Sequence, residues 1–315
     1  MGYYGVLRRF FIKTGFLCSI LSLLFITFVS CKSIKNDSFL ANDFFLLGNQ
    51  YMELKKYPEA IQYYLKSLDY LSDNDKVIVN LILAYQKNNE FNKAEDYIVR
   101  NYNRSRMSDE YTRIYLKLLA NNHFYANRLP LAERTYRTYT ETYTNDPEAF
   151  FNLGLCLYLL DRKDEGVEFF NKALTVDQNF IPALKNIGDH YFIVKDMTNA
   201  YIYYTRLKAV DGNNPLVYYR LALITFAQKE YEESLDAIKK AITLLATNPD
   251  FYIAAARITA EGYGDAQVTL EYLRKSFTNG YTDFVKLGTY GEFDLLRETA
   301  AYRTLIEEFK PASGS

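Results

Sequence analysis

Residues 147–158 read PEAFFNLGLCLY, residues 181–192 read IPALKNIGDHYF, and residues 215–226 read PLVYYRLALITF. Each segment begins 34 positions after the one before it and carries a small residue at its eighth position. The spacing continues once more, so the small residues are Gly154, Gly188, Ala222 and Ala256. A unit of two antiparallel helices cannot bury its apolar face alone, and copies of it stack into a solenoid. The period therefore predicts a helical repeat protein in which each small residue marks a close approach of two helices.

The recurrent positions resemble those of the tetratricopeptide-repeat family. Repeats that start at residues 41, 147, 181, 215 and 249 satisfy most of the family pattern. The copy at 181 carries its large, small and aromatic positions as Leu184, Ile187, Gly188, Tyr191, Ala200 and Tyr204. One weaker copy starts near residue 75, and another spans about 108–146. The second is a few residues too long, and we expect its surplus residues near 121–130.

This resemblance implies the fold class and the domain plan. The expected fold is all-α, a right-handed superhelical solenoid of about seven helix pairs over residues 41–280. A solenoid needs a cap to cover its last apolar face. We expect capping helices within 281–310, over 282–287 and 292–309, and a flexible tail at 311–315.

The first 31 residues resemble a bacterial lipoprotein signal peptide. A positive segment with Arg8, Arg9 and Lys13 precedes an uncharged, mostly apolar stretch over 14–30. This order is typical of a secretory signal. Residues 28–31 read FVSC, which is similar to a lipobox. The resemblance implies that Cys31 is acylated, for example by palmitate, and becomes the mature N-terminus.

The apolar stretch leaves an alternative, because an uncleaved transmembrane anchor needs about 17–25 residues. A soluble secreted product is a further alternative, and in each case the repeats are exported. The polar residues 32–40 predict a flexible tether. We therefore expect a protein of a bacterial cell envelope, lipid-anchored to a membrane, whose solenoid faces the periplasm or the cell surface.

Charge and residue types argue against several function classes. Removal of residues 1–31 takes away three of the 37 Lys and Arg and none of the 38 Asp and Glu, which leaves 34 − 38 = −4. Nucleic-acid binders carry a basic stripe, so we expect no nucleic-acid partner. His123 and His190 have no Cys, His or Glu at metal-ligand spacing, and no nucleophile has a base at a recognisable spacing. We expect no catalytic residue, no metal, no cofactor and no enzyme activity.

The concave groove is the remaining candidate site. In the family, the first helix of each repeat lines this groove at positions 2, 5, 6, 9, 12 and 13. Contiguous exposed apolar patches mark interaction sites, although aromatic residues at these positions also pack within a repeat. The partner-binding residues that the resemblance implies are Phe151, Asn152, Leu155, Tyr158, Asn186, Asp189, Phe192, Tyr219, Arg220, Leu223 and Phe226.

These features together predict a lipid-anchored periplasmic scaffold that binds a protein or peptide segment in its groove, in envelope assembly or transport. Two alternatives stay open. One is a subunit of a periplasmic solute-binding or transport system that takes a hydrophobic small ligand. The other is a surface-exposed lipoprotein of the adhesin type.

Overall fold

The computed structural model describes residues 37–105 and 109–309. The chain divides into two compact units, Met1–Tyr143 and Thr144–Ser315. The described residues form helices joined by short turns, and no strand occurs among them. The expected signal peptide, the acylation site Cys31 and the tail 311–315 lie outside the described residues.

Each unit is built from consecutive pairs of antiparallel helices. The first unit holds three pairs: α1 (37–53) with α2 (Tyr57–Tyr70), α3 (Asp75–Lys87) with α4 (Phe91–Ser105), and α5 (Asp109–Tyr125) with α6 (Leu129–Thr142). The second unit holds four: α7 (Pro147–Leu159) with α8 (Lys163–Val176), α9 (Ile181–Ile193) with α10 (Met197–Val210), α11 (Pro215–Ala227) with α12 (Tyr231–Leu244), and α13 (Pro249–Tyr263) with α14 (Ala266–Thr278). The all-α fold of seven helix pairs is confirmed over the described part of the chain.

Helix α1 begins earlier than the sequence predicted. Residues 37–40, which we assigned to the tether, form its first turn. A polar start is compatible with a helix, because an acidic residue such as Asp37 is favoured near the N-terminus by the helix dipole. The turn is also tied down, since Ser67 of α2 donates a hydrogen bond of 2.7 Å to the carbonyl of the buried Ala41.

The first helices of several pairs begin with a side-chain cap. The side chains of Asn74, Asp146, Asn214 and Asn248 accept hydrogen bonds from backbone N–H groups in the first turn that follows. Proline occupies the first helical position after the last three of these caps, where its missing N–H costs nothing. The caps fix where each pair starts.

The turn inside every pair contains one residue in the left-handed region. Six are not glycine and have φ between 57° and 63°: Lys55, Asn89, Asn127, Asp161, Lys195 and Lys229. The seventh pair has Gly264, at φ 62°. Each lies two residues before the second helix of its pair. The turn is therefore the most regular element of the repeat.

Glycine at the eighth repeat position lets a ring of the second helix approach the first. A Cβ atom built on Gly48 would lie 2.4 Å from the ring of Tyr64, and one on Gly154 would lie 2.7 Å from the ring of Phe170. Real Cβ atoms do not come this close, so the ring occupies the space that a side chain would need. The close helix crossing predicted from the spacing is confirmed at these pairs.

The surplus residues of the third pair are not where we expected them. The turn around Asn127 has the usual length, whereas α5 has 17 residues and α3 has 13. Both helices end two residues before their left-handed residue, so α5 is extended by one turn at its N-terminus. The prediction of extra residues at 121–130 is wrong, because an added helical turn leaves no break in the apolar pattern.

The capping segment is more broken than predicted. It consists of α15 (Phe284–Leu287), a 3-10 turn (Gly291–Phe293), α16 (Asp294–Arg297) and α17 (Ala300–Phe309). The single helix that we expected over 292–309 is interrupted because Thr299 caps α17, its hydroxyl accepting from the N–H of Tyr302 at 3.2 Å. Phe293, Leu296, Tyr302 and Leu305 of this segment are buried with residues of the seventh pair.

Candidate functional site

The eleven predicted groove residues lie on the first helices of three consecutive pairs in the second unit. Each of them is partly buried, neither in the core nor fully in solvent. Helix α7 carries Phe151, Asn152, Leu155 and Tyr158; α9 carries Asn186, Asp189 and Phe192; and α11 carries Tyr219, Arg220, Leu223 and Phe226. We refer to this set as the α7–α11 surface.

The aromatic rings of α7 rest on the second helix of their own pair. The ring of Phe151 lies 5.2 Å from that of Phe170, and the ring of Tyr158 lies 6.2 Å from it. Phe151 also meets Phe180, which precedes α9, at 5.7 Å. These aromatic side chains therefore serve the packing of the repeat and present only part of their surface to a partner.

Successive first helices are joined through the aromatic residue at the twelfth repeat position. The ring of Tyr158 stands 5.9 Å from the imidazole of His190 on α9. The guanidinium of Arg220 on α11 lies 5.2 Å over the ring of Phe192, and that of Arg257 on α13 lies 5.0 Å over the ring of Phe226. A cation over an aromatic face is attracted by the ring quadrupole. These contacts make α7, α9, α11 and α13 one continuous surface.

Asp189 is held by contacts within the protein. Its carboxylate accepts a hydrogen bond of 2.6 Å from the hydroxyl of Tyr204 and one of 2.8 Å from Lys185, and it lies 3.5 Å from Nε of Arg220. Burial raises the pKa of Tyr204 and the Asp189 carboxylate raises it further, so the phenol stays a donor. The structure thus gives Asp189 a positioning role toward Lys185 and Arg220.

Tyr204 is a part of this site that we did not predict. A signal was available, because the same pairing recurs 15 residues apart in two other pairs. There the hydroxyl of Tyr64 donates to Asn49 at 2.8 Å, and the hydroxyl of Tyr136 donates to Asn121. A tyrosine in the second helix therefore fixes the polar residue at the ninth position of the first.

The amide row of the groove is partly engaged as well. The amide nitrogen of Asn186 donates 2.8 Å to the carbonyl of Pro182 in its own helix. This bond uses one of the two N–H donors of the side-chain amide, and the amide also has a carbonyl that accepts hydrogen bonds. Asn152, half-buried on α7, occupies the equivalent position one repeat earlier.

A cavity of about 430 Å³ opens where α9, α10 and α11 meet. Its wall is mostly apolar, with the charged groups of Lys185, Arg220 and Asp211 around it. The other lining residues are Ile181, Tyr204, Leu207, Asn214, Leu216, Val217 and Tyr219. Two of the predicted groove residues, Tyr219 and Arg220, therefore border a concave space rather than a flat face.

Candidate metal ligands do not cluster in the part of the chain that the structure describes. No group of three or more His, Cys, Asp or Glu there could hold a metal ion. Cys156 is buried in α7. Among residues 37–105 and 109–309, no helix combines the length and apolarity that a membrane span requires.

Family models of the tetratricopeptide repeat match residues 44–70, 117–179 and 216–246. No functionally curated protein matches the chain. A crystal structure of MamA protein is similar at 18% identity, covering 57% of this chain and 96% of that one, with a TM-score of 0.50. A tetratricopeptide repeat protein from Parabacteroides merdae is similar at 13% identity, covering 80% of this chain and 98% of that one, also with a TM-score of 0.50. At these identities the likeness concerns the fold.

The chain contains tetratricopeptide repeats. The matched stretches coincide with helix pairs of both compact units, and the pairs share one turn geometry. Repeats of this family suggest a scaffold for interactions between proteins. The fold itself hosts many functions, so anything finer rests on the side chains of the α7–α11 surface.

Proposed function

We propose that this protein is a scaffold of a bacterial envelope, tied to a membrane by an acylated Cys31, that captures a segment of a partner protein on its α7–α11 surface. The observation that carries the proposal is the alignment of half-buried aromatic, amide and cationic side chains on three successive first helices. A peptide that lies across such helices meets apolar anchor sites and hydrogen-bonding groups in alternation, which suits an extended or helical segment.

The partial burial of these side chains favours recognition of a partner over a purely structural role for the whole set. Fully buried residues hold the pairs together at Leu153, Ile187 and Leu221, which lie on the same helices. Phe151, Tyr158, Tyr219 and Phe226 keep part of their surface open. Aromatic anchors of this kind dominate binding energy at interfaces.

The cavity beside α9, α10 and α11 favours a second candidate, a hydrophobic small ligand. Its volume of about 430 Å³ falls within the roughly 300–1,000 Å³ of typical ligand sites. Its wall is largely apolar with a few polar groups, as such sites are. A segment with one large anchoring side chain would fill the same space, and we favour it because the surface continues well beyond the cavity.

Photo-crosslinking in the bacterium separates the two candidates. A benzoylphenylalanine at Ile181, which borders the cavity, should form a discrete adduct with another protein, which mass spectrometry identifies. Benzoylphenylalanine in place of Ile202, which is exposed on the second helix α10, is the matched control and should not form that adduct. Adducts of equal yield at both positions, or an adduct of small-molecule mass alone at Ile181, would contradict the scaffold proposal.

A further inference from the structure

A segment of the cap packs on α13, the first helix of the seventh pair, through specific side-chain contacts. The guanidinium of Arg257 lies 4.4 Å from the centre of the Tyr290 ring, in addition to its contact with Phe226. Glu292, two residues after Tyr290, accepts hydrogen bonds of 2.9 Å and 2.5 Å from Nε and Nη2 of Arg257. Both charged side chains are mostly buried, at 23% and 13% exposure. The aromatic ring and the carboxylate thus bind the same guanidinium group.

A guanidinium over an aromatic ring also occurs one pair earlier, from the sixth repeat position (Arg220) instead of the ninth (Arg257). Arg220 lies over Phe192 as Arg257 lies over Phe226, and each of these phenylalanines is at the twelfth position of the preceding pair. Arg220 has no counterpart of Tyr290 among the aromatic contacts of the described residues. Its side chain is 38% exposed, and it borders the cavity of about 430 Å³.

The charge at this point suits an acidic ligand. Lys185 and Arg220 share the single carboxylate of Asp189, which leaves one positive charge in excess. Asp211 lies on the same cavity wall, where it accepts a hydrogen bond of 2.8 Å from Asn214 next to the start of α11. With Asp211 the four charges at the cavity sum to zero, so a ligand carboxylate is favoured only where it contacts Lys185 or Arg220 directly.

The geometry points to an occupant of defined chemistry: an extended segment of a partner protein with an aromatic residue and, two positions later, an acidic residue, bound at Arg220 as Tyr290 and Glu292 are bound at Arg257. This inference rests on the proposed function and specifies its ligand. The aromatic side chain enters the apolar cavity beside Leu216 and Ile181, and the carboxylate pairs with the guanidinium of Arg220. Arginine suits this role because it stacks on rings and binds carboxylates through two donors.

A peptide with the cap's own sequence is the direct probe. Fluorescein-labelled TYGEFDL, residues 289–295, is titrated with the full chain and followed by anisotropy. We expect saturable binding, weakened at least tenfold by Arg220→Ala and also by replacing the tyrosine with Ala or the glutamate with Gln in the peptide. Arg220→Ala should fold, since Asp189 keeps Lys185 and Tyr204 as partners. Arg206→Ala is the control, because Arg206 also lies over a tyrosine, Tyr203, but on the second helix α10; it should stay within twofold.

Absence of binding, or an affinity that does not respond to Arg220→Ala, would overturn the inference. A wild-type dimer that Arg220→Ala dissociates in sedimentation would also overturn it, because the occupant would then be the cap of a second copy. The proposed function is tested separately. A partner that crosslinks at Ile181 but lacks the aromatic–acidic pair in its crosslinked segment would refute this ligand chemistry and leave the scaffold intact.

Discussion

Gly188 and Tyr204 are in contact at the centre of the pair formed by α9 and α10, where a Cβ atom on the glycine would lie 2.9 Å from ring carbons Cδ2 and Cε2. The hydroxyl of the same tyrosine binds Asp189, the next residue in the first helix. One ring thereby sets both the spacing of two helices and the position of a charged groove residue. Packing and the candidate site are joined at this point.

Substitution of Gly188 should destabilise the second unit in proportion to the size of the new side chain. Gly188→Leu must displace the Tyr204 ring, and overpacking of this kind costs typically about 1–3 kcal/mol. Gly188→Ala should cost less, because the third pair has an alanine at this position. There Ala120 directly precedes Asn121, which binds Tyr136 as Asp189 binds Tyr204. Denaturant unfolding monitored by circular dichroism measures both variants.

The control for this series is Gly291→Ala in the cap, where a Cβ would meet a single atom at 3.8 Å. Its unfolding midpoint should match that of the wild type. An unchanged midpoint for Gly188→Leu would mean that the helix crossing is not as close as the structure has it.

The left-handed turn residues give a second stability prediction. Lys195 is exposed and has φ 63°, so substitutions there act through the backbone. A β-branched residue is a genuine outlier at positive φ, so Lys195→Val should lower the free energy of unfolding, by roughly 1 kcal/mol as is usual for a destabilising single substitution. Lys195→Gly should raise it slightly, by up to about 1 kcal/mol, because glycine adopts this conformation without strain. Equal midpoints for the two variants would contradict this explanation.

Sequence periodicity predicted the fold well wherever side chains repeat at a fixed spacing. The small residues Gly154 and Gly188 predicted the close helix crossings at which the structure places Phe170 and Tyr204. The extra turn of α5 was invisible because it keeps the apolar period. The break at Thr299 was missed because a single threonine cap within a helical pattern is a weak signal.

The cap should depend on the pair between Glu292 and Arg257. Glu292→Gln leaves a mostly buried guanidinium without its carboxylate, and hydrogen bonds to charged groups contribute about 1.5–3 kcal/mol. Amide exchange in α17, Ala300–Phe309, should then accelerate about tenfold or more, while α9 keeps its protection. Glu298→Gln is the control within the cap, because Glu298 and Arg303 form an exposed pair 3.5 Å apart of little worth. Equal exchange in both variants would show that the pair does not hold the cap.

The membrane anchor stays a prediction from residues 28–31, and it is testable in cells. Cys31→Ser should abolish labelling by a clickable fatty acid, because the acyl acceptor is removed. The variant should either lose its membrane association or retain its signal peptide, which a shift in mass distinguishes. Cys18→Ser is the matched control and should be labelled as the wild type is. Label that persists in Cys31→Ser would refute acylation at this residue.

The candidate site was predictable as a surface and not as a set of contacts. The family's groove positions, carried onto the repeat register, placed the eleven residues on three first helices, as the structure has them. It could not show that Asp189 is bound by Tyr204, or that Arg257, a groove residue by its position, is covered by Tyr290 and Glu292. Both contacts join residues far apart in the sequence, and the second depends on a cap with no repeat pattern.

The most direct test of the central claim is to purify the partner identified by crosslinking and to measure its dissociation constant from the wild-type protein and from groove variants. Tyr158→Ala combined with Tyr219→Ala should weaken binding at least tenfold, which is about 1.4 kcal/mol. Both tyrosine rings also pack internally, on Phe170 and Phe251, so this variant loses packing as well as groove surface. Asn152→Ala with Asn186→Ala is a second groove variant that removes no aromatic packing, and it should weaken binding as well. Tyr201→Ala with Tyr263→Ala, on α10 and at the end of α13, is the control and should bind within twofold of the wild type. Groove variants that are folded by circular dichroism and bind with an unchanged dissociation constant would contradict the account.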